Sequence, residues 1–174
     1  LDLLIQKMKK INIYIYCSKR QVKDLLNYFS NKNCNHEILT WHKQNPSPLI
    51  NNNYLPDTEY ILFFREKGVK LYGNYHTKRK YYISLTNKVD KQKYKHPTIK
   101  PLELIEYHIE NSSKEGDLIL DCFAGSGTTL VGAINKNRRY IGFEIDKNYY
   151  EIAKKRIEEA VLKRRGNKAE KDAI

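Results

Sequence analysis

The sequence predicts an α/β fold built on a mostly parallel, doubly wound sheet of Rossmann-like type. Three observations carry that expectation. The C-terminal third alternates strand, helix, strand, helix, the order that βαβ units and a parallel sheet require. An apolar run, Leu118 to Phe123, passes directly into a turn of small residues and then a helix. The N-terminal half supplies further short β-type runs separated by turn residues.

The elements follow in order. Residues 1–10 have helical spacing, with Leu1, Leu4, Ile5 and Met8 on one side. From Ile11 to Cys17 the pattern alternates, with Ile11, Ile13 and Ile15 on one face and Tyr14 and Tyr16 on the other. Lys19 to Asn31 reads as an amphipathic helix through Val22, Leu25, Leu26 and Phe29. Glu37 to Trp41 predicts a short strand, closed by the turn Asn45-Pro46-Ser47-Pro48. Thr58 to Arg65 is a further apolar strand ended by Lys67-Gly68, after which the pattern loosens as far as Lys95. A helix is expected over Pro101 to Asn111, with proline in its first turn. Strand Leu118 to Phe123, helix Thr128 to Asn135, strand Tyr140 to Ile145 and helix Asn148 to Leu162 complete the chain, and 164–174 reads as a charged, frayed tail.

Composition narrows the class. The 174 residues suit one domain with a real core. No run approaches the roughly 20 apolar residues a membrane span needs, and the mixed Leu, Lys and Asp of the first ten residues do not form a signal peptide. A start at Leu1 rather than Met is what a trimmed or partial chain would show. Cys17, Cys34 and Cys122 have no metal-type spacing and fit free thiols in a reducing cytoplasm. The net charge of +12 points to a polyanion, although Lys, Asn, Ile and Tyr usage also suits an AT-rich bacterial or phage genome.

The turn after Leu118-Ile119-Leu120-Asp121 carries the functional argument. Gly125 and Gly127 permit close approach of backbone to a ligand, and the helix that begins at Thr128 offers free N–H groups. A phosphate loop would need Gly-Lys-Ser/Thr, and no lysine stands here. A dinucleotide fingerprint would need a small residue where Leu130 stands, so close helix–strand packing of that kind is not expected. Asp121 disfavours a pyrophosphate and favours a cationic group, such as the amino group and sulfonium of S-adenosylmethionine. Glu144, 17 residues after Gly127, ends the second strand, where an acid can accept hydrogen bonds from both ribose hydroxyls.

On these residues the chain resembles the amino-group DNA methyltransferases, which modify adenine N6 or cytosine N4. Asp121-Cys122-Phe123-Ala124-Gly125-Ser126-Gly127-Thr128-Thr129 resembles their motif I, His96-Pro97-Thr98-Ile99-Lys100-Pro101 their motif X, and Glu144 the acid of motif II. Motif X ahead of motif I is the circularly permuted order of the β group. The resemblance extends back through Ile13 to Ser18 and Trp41 to Pro46, and covers roughly residues 1–160. It implies the Rossmann-like sheet of S-adenosylmethionine-dependent methyltransferases, incomplete at the N-terminus. It makes Asp121, Phe123, Gly125, Ser126, Gly127, Thr128 and Glu144 cofactor-binding, with Phe123 as a side wall. Thr98 and Lys100, and less directly His96, would lie beside the cofactor's carboxylate.

The family's motif IV, an Asp/Asn/Ser-Pro-Pro-aromatic tetrapeptide, is absent: no Pro-Pro occurs in the 174 residues. No catalytic residue is therefore assigned, and the chain alone is expected to transfer little methyl. Residues 1–163 are expected to be a partial methyltransferase domain, with 67–95 a basic insert facing DNA and 164–174 a tail. The insert holds nine Lys or Arg and five Tyr against one acid, Asp90. Lys78, Arg79 and Lys80 would neutralise phosphates of double-stranded DNA, while Tyr81, with Tyr75 and Tyr82, would stack on displaced bases. The bland alternative for this segment is a solvated basic loop with its tyrosines packed inward.

Two rival readings stay open on the sequence. One is a methyltransferase of RNA, protein or small molecules, which the motif order and the basic insert oppose. The other is a non-catalytic cofactor-binding subunit, or a degenerate remnant, that completes or regulates another chain. The family also implies homodimers, but no face of this sequence is diagnostic of one.

Overall fold

The computed structural model describes residues 1–48, 52–94 and 98–171, with side chains of the last helix described as far as Gly166. The chain divides into two compact units. The first comprises 1–71 and 78–86, the second 72–77 and 87 onward.

In the first unit the order is α1 (Asp2–Gln6), β1 (Asn12–Cys17), α2 (Val22–Ser30), β2 (Cys34–Lys43), β3 (Thr58–Glu66) and β4 (Tyr81–Ser84). The sheet order is β1-β3-β2-β4. β3 is central because Ile61-Leu62-Phe63-Phe64 is apolar on both faces, and all four residues are buried. Each such side chain contributes about 1.5–3 kcal/mol when fully buried. The alternation read in β1 holds: Ile13 and Ile15 pack with Leu62, Phe64 and the Leu25, Leu26 and Phe29 face of α2. Tyr14, pointing the other way, stacks on Phe63 with ring centroids 4.2 Å apart.

Pairing extends β2 beyond the predicted Glu37 to Trp41. Its residues run antiparallel along β3 from Cys34 opposite Glu66 to His42 opposite Thr58. A partner strand, not the local propensity of Asn35 and His36, sets those ends. The segment expected to be loose contains β4, which pairs in parallel with β2, Thr40 opposite Tyr81 and Lys43 opposite Ser84. Trp41, buried, donates its indole N–H to the Ser84 hydroxyl at 2.9 Å and ties the two strands together.

In the second unit the order is α3 (Lys88–Tyr94), α4 (Leu102–Ser112), β5 (Leu118–Asp121), α5 (Thr128–Asn135), β6 (Arg139–Gly142) and α6 (Lys147–Lys171). β5 and β6 are parallel, from Leu118 opposite Arg139 to Asp121 opposite Gly142, with α5 as the crossover. This is the predicted βαβ unit. α5 is buried through Leu130, Val131, Gly132, Ala133 and Ile134, and packs against α4 and α6. Its end is set by Asn137, in the left-handed region at φ 60°, which lets Arg138 turn back to donate to the Ala133 and Ser113 carbonyls.

Several boundaries differ from expectation: α1 stops at Gln6 rather than reaching Lys10, α2 begins at Val22 rather than Lys19, and β5 ends at Asp121 rather than Phe123. Pro101 is the residue before α4 begins, not part of its first turn. β6 stops at Gly142, and Phe143 to Ile145 continue as a loop. α6 passes the predicted stop at Leu162 and runs to Lys171, because Lys, Arg, Ala and Glu are good helix formers that outweigh the single Gly166. Among the described residues no helix is long and apolar enough to cross a membrane.

Candidate functional site

The site is built where β5 and β6 end side by side. Asp121 is the last residue of β5, and its side chain accepts a hydrogen bond from the Phe123 N–H at 3.0 Å. Its carbonyl accepts from the Phe143 N–H, and the Phe143 carbonyl accepts from the Ala124 N–H, both at 2.9 Å. The glycine turn is therefore sewn to the loop that follows β6. From that loop Glu144 reaches back: one carboxylate oxygen accepts from the Gly125 N–H at 2.7 Å, the other from the Asp146 N–H at 2.8 Å. The two predicted acids thus stand at the same end of adjoining strands, joined through the turn.

The turn's shape needs glycine. Gly125 and Gly127 have φ of 52° and 79°, and Gly127 precedes α5 as its N-terminal cap. A Cβ on Gly127 would come within 2.9 Å of the Ala153 Cβ on α6. Leu130, which argued against close helix–strand packing, achieves it from the other side. Gly142 on β6 leaves the room, since a Cβ there would sit 2.4 Å from a Leu130 methyl.

The remaining predicted cofactor residues fall into distinct groups. Phe123 is 91% exposed, an aromatic ring in the turn that packs on almost nothing of the protein. The Ser126 and Thr128 side chains are buried, and their hydroxyls accept hydrogen bonds from Arg156 at 3.0 and 3.1 Å. A buried guanidinium thus engages both hydroxyls, so a part for these two residues in cofactor binding falls to the backbone of the turn. Thr98 is exposed and Lys100 half-buried, on either side of the buried Ile99, which fixes the approach to α4. His96 lies outside the described residues.

Sequence reasoning missed Arg156 and Tyr94. A signal was present, because Arg156 falls on the Ile152-Ala153-Arg156-Ile157 stripe of α6, where a charge among apolar neighbours must have a buried partner. Burial works against the charged form of its guanidinium and lowers its pKa.

The basic segment is not one loose insert. Residues 72–77 are pinned within the second unit, where Asn111 donates to the Thr77 carbonyl at 2.7 Å and accepts from its hydroxyl at 2.8 Å. Lys78, Arg79 and Lys80 are exposed and lead into the edge strand β4. Lys80 forms an ion pair with Glu37 at 2.6 Å, so part of its charge is already answered. Tyr81 is the first residue of β4 and is half exposed, while Tyr75 stands almost fully in solvent.

Comparison with known proteins agrees with this geometry. The N6/N4 DNA methylase family matches residues 4–155. The chain is 44% identical over 133 residues to the type II methyltransferase M2.DpnII of Streptococcus pneumoniae, covering 69% of this chain and 50% of that protein. It is 34% identical over 134 residues to M2.MboI of Moraxella bovis, covering 70% and 49%. The chain thus spans about half the length of the curated relatives it matches. A crystal structure of M1.HpyAVI in complex with S-adenosylmethionine superposes with a TM-score of 0.72 at 34% identity, over 84% of this chain and 74% of that one. The cytosine-N4-specific PvuII DNA methyltransferase, at 21% identity and a TM-score of 0.61 over 80% and 57% of the two chains, shares the fold.

Proposed function

The chain belongs to the N6/N4 DNA methylase family, and from that premise we propose that it holds S-adenosylmethionine at the glycine turn for methyl transfer to the exocyclic amino group of a DNA base. Adenine N6 is the first target to test and cytosine N4 the second. One observation carries the cofactor reading: two carboxylates, at the end of β5 and in the loop after β6, both accept backbone N–H groups of the glycine turn, Asp121 from Phe123 and Glu144 from Gly125, beside the exposed Phe123 ring.

The residues present fit that molecule. S-adenosylmethionine when bound supplies an electrophilic methyl group on a sulfonium. Asp121 contributes negative charge where the ligand is cationic, which a phosphate-bearing ligand would not tolerate. Glu144 uses two of its roughly four acceptor positions on backbone N–H groups, leaving the others for hydroxyl donors. Phe123 offers a flat apolar surface to a purine ring, an area stabilised by being covered. Thr98 and Lys100 supply a hydroxyl and an ammonium to a carboxylate.

The DNA side rests on Lys78, Arg79, Lys80 and Tyr81. Cations there neutralise phosphates without reading sequence, and a flipped base needs an aromatic surface to stack on. The Pro-Pro-aromatic string that would hold the target amino group is absent from these 174 residues, and no catalytic residue is proposed among them. Incubating the chain with duplex DNA and cofactor labelled on the methyl group tests both halves. Retention of label by the protein with little transfer to DNA is expected. Transfer at a rate normal for an intact methyltransferase overturns the second half, and no retention overturns the first.

A further inference from the structure

We infer that Arg156, on α6, is a positioning residue that sets the shape of the glycine turn, and that Tyr94, on α3, holds it in place. This rests on the cofactor reading above and deepens it. Arg156 is 6% exposed. One terminal nitrogen donates to the Ser126 carbonyl at 2.7 Å, the Ser126 hydroxyl at 3.0 Å and the Thr128 hydroxyl at 3.1 Å. The guanidinium carbon lies 4.2 Å from the centre of the Tyr94 ring, a cation–π arrangement that Arg favours.

A buried guanidinium is tolerated only where acceptors replace the water it has lost. The three acceptors named here all belong to the turn or the first residue of α5. The decisive one is the Ser126 carbonyl. Holding it against α6 fixes the plane of the Ser126–Gly127 peptide, whose N–H then closes the turn onto the Ala124 carbonyl at 2.8 Å. One helical turn earlier on α6, Ala153 meets Gly127 so closely that only glycine fits. From the opposite side Glu144 holds the Gly125 N–H. The turn is thus clamped between α6 and the loop after β6, while Phe123 stays exposed.

Tyr94 gives the clamp a second part. It ends α3, and its ring covers one face of the guanidinium that shapes the turn. Arg156 thereby sets the turn without touching the ligand, and Tyr94 sets Arg156.

The test compares wild type, R156Q, R156K and Y94L, with K154Q, an exposed neighbour on α6, as control. Three quantities are read: Kd for S-adenosylmethionine by calorimetry, ligand-free thermal unfolding, and the backbone amide resonances of Gly125 and Gly127. R156Q is expected to move both glycine resonances and raise Kd roughly tenfold or more, the scale of a lost charge-assisted hydrogen bond. R156K should recover part of the affinity, Y94L should weaken binding several-fold, and K154Q should leave it unchanged. Unmoved glycine resonances with wild-type affinity in folded R156Q overturn the inference. If R156Q does not fold, the same pair of results in Y94L overturns it, and shifted resonances with weaker binding support it. If wild type binds no S-adenosylmethionine, the cofactor reading fails, while the glycine resonances still decide whether Arg156 shapes the turn.

Discussion

Replacing Gly127 by alanine attacks the point where the turn, α5 and α6 meet. The cost has two separable parts. Alanine at φ 79° is held in the left-handed region, about 1–2 kcal/mol above the right-handed one. Its Cβ would also lie 2.9 Å from the Ala153 Cβ and 3.2 Å from the Ala153 Cα, where carbon pairs settle at about 3.5–4.0 Å. The second of these neighbours is a backbone atom, so α6 must shift or the turn must open, at about 1–3 kcal/mol for overpacking of this kind. Together these give about 3 kcal/mol, a large share of a small domain's roughly 5–15 kcal/mol. The second part can be isolated. A153G removes the Cβ–Cβ overlap but leaves the strained φ, so G127A and A153G should show a favourable coupling of about 1–2 kcal/mol in a double-mutant cycle. Denaturant unfolding followed by circular dichroism measures stability, and cofactor titration of the folded variants follows the turn. G127A costing under about 1 kcal/mol, or a coupling near zero, would refute the claim that glycine is required here by both backbone and neighbour.

Other predictions follow from the same geometry. Changing Lys78, Arg79 and Lys80 together to alanine should weaken DNA binding and reduce the slope of log K against log salt. Because Glu37 already answers Lys80, the expected drop is about 0.9 for each of two phosphates, not three; an unchanged slope would show that these cations do not meet DNA. Burial pulls His108 down to about 3. The unfolded chain then takes up the proton more readily than the folded one, so stability present above about 6.5 falls as pH drops toward 3. That amounts to about 2 kcal/mol between pH 7 and pH 5, read as a shift in the unfolding midpoint. H108Q should flatten this part of the profile, and an unaltered profile would show that the imidazole is not the group responsible. N111A removes the side chain that pins residues 72–77 at two hydrogen bonds, and should cost about 1–3 kcal/mol. Loss of amide-exchange protection confined to that loop and the end of α4 is the expected signature, and unchanged protection would argue against the pin.

Much of this was legible in the sequence because its signals are local. The apolar run into Gly125 and Gly127 specifies strand, turn and helix within a dozen residues, and the alternation from Ile11 to Cys17 separates an isoleucine face from a tyrosine face. What escaped depends on distant partners. β4 is a strand because β2 lies beside it, not because Tyr81-Tyr82-Ile83-Ser84 announces one. The reach of β2 to Cys34 is set by β3. The engagement of the Ser126 and Thr128 hydroxyls by Arg156, about 30 residues onward, has no local signal in the turn itself. Gly142 and Leu130 exchange the small and large roles that the familiar nucleotide-binding pattern assigns to helix and strand, so the close packing was invisible to a motif written for the helix alone.

The most direct test of the central claim is a calorimetric titration of S-adenosylmethionine into the folded chain and into D121A and E144A. Saturable one-to-one binding by wild type is predicted, weakened roughly tenfold or more in each variant at unchanged fold. A folded wild type that gives no heat, or variants that bind as tightly as wild type, would contradict the account.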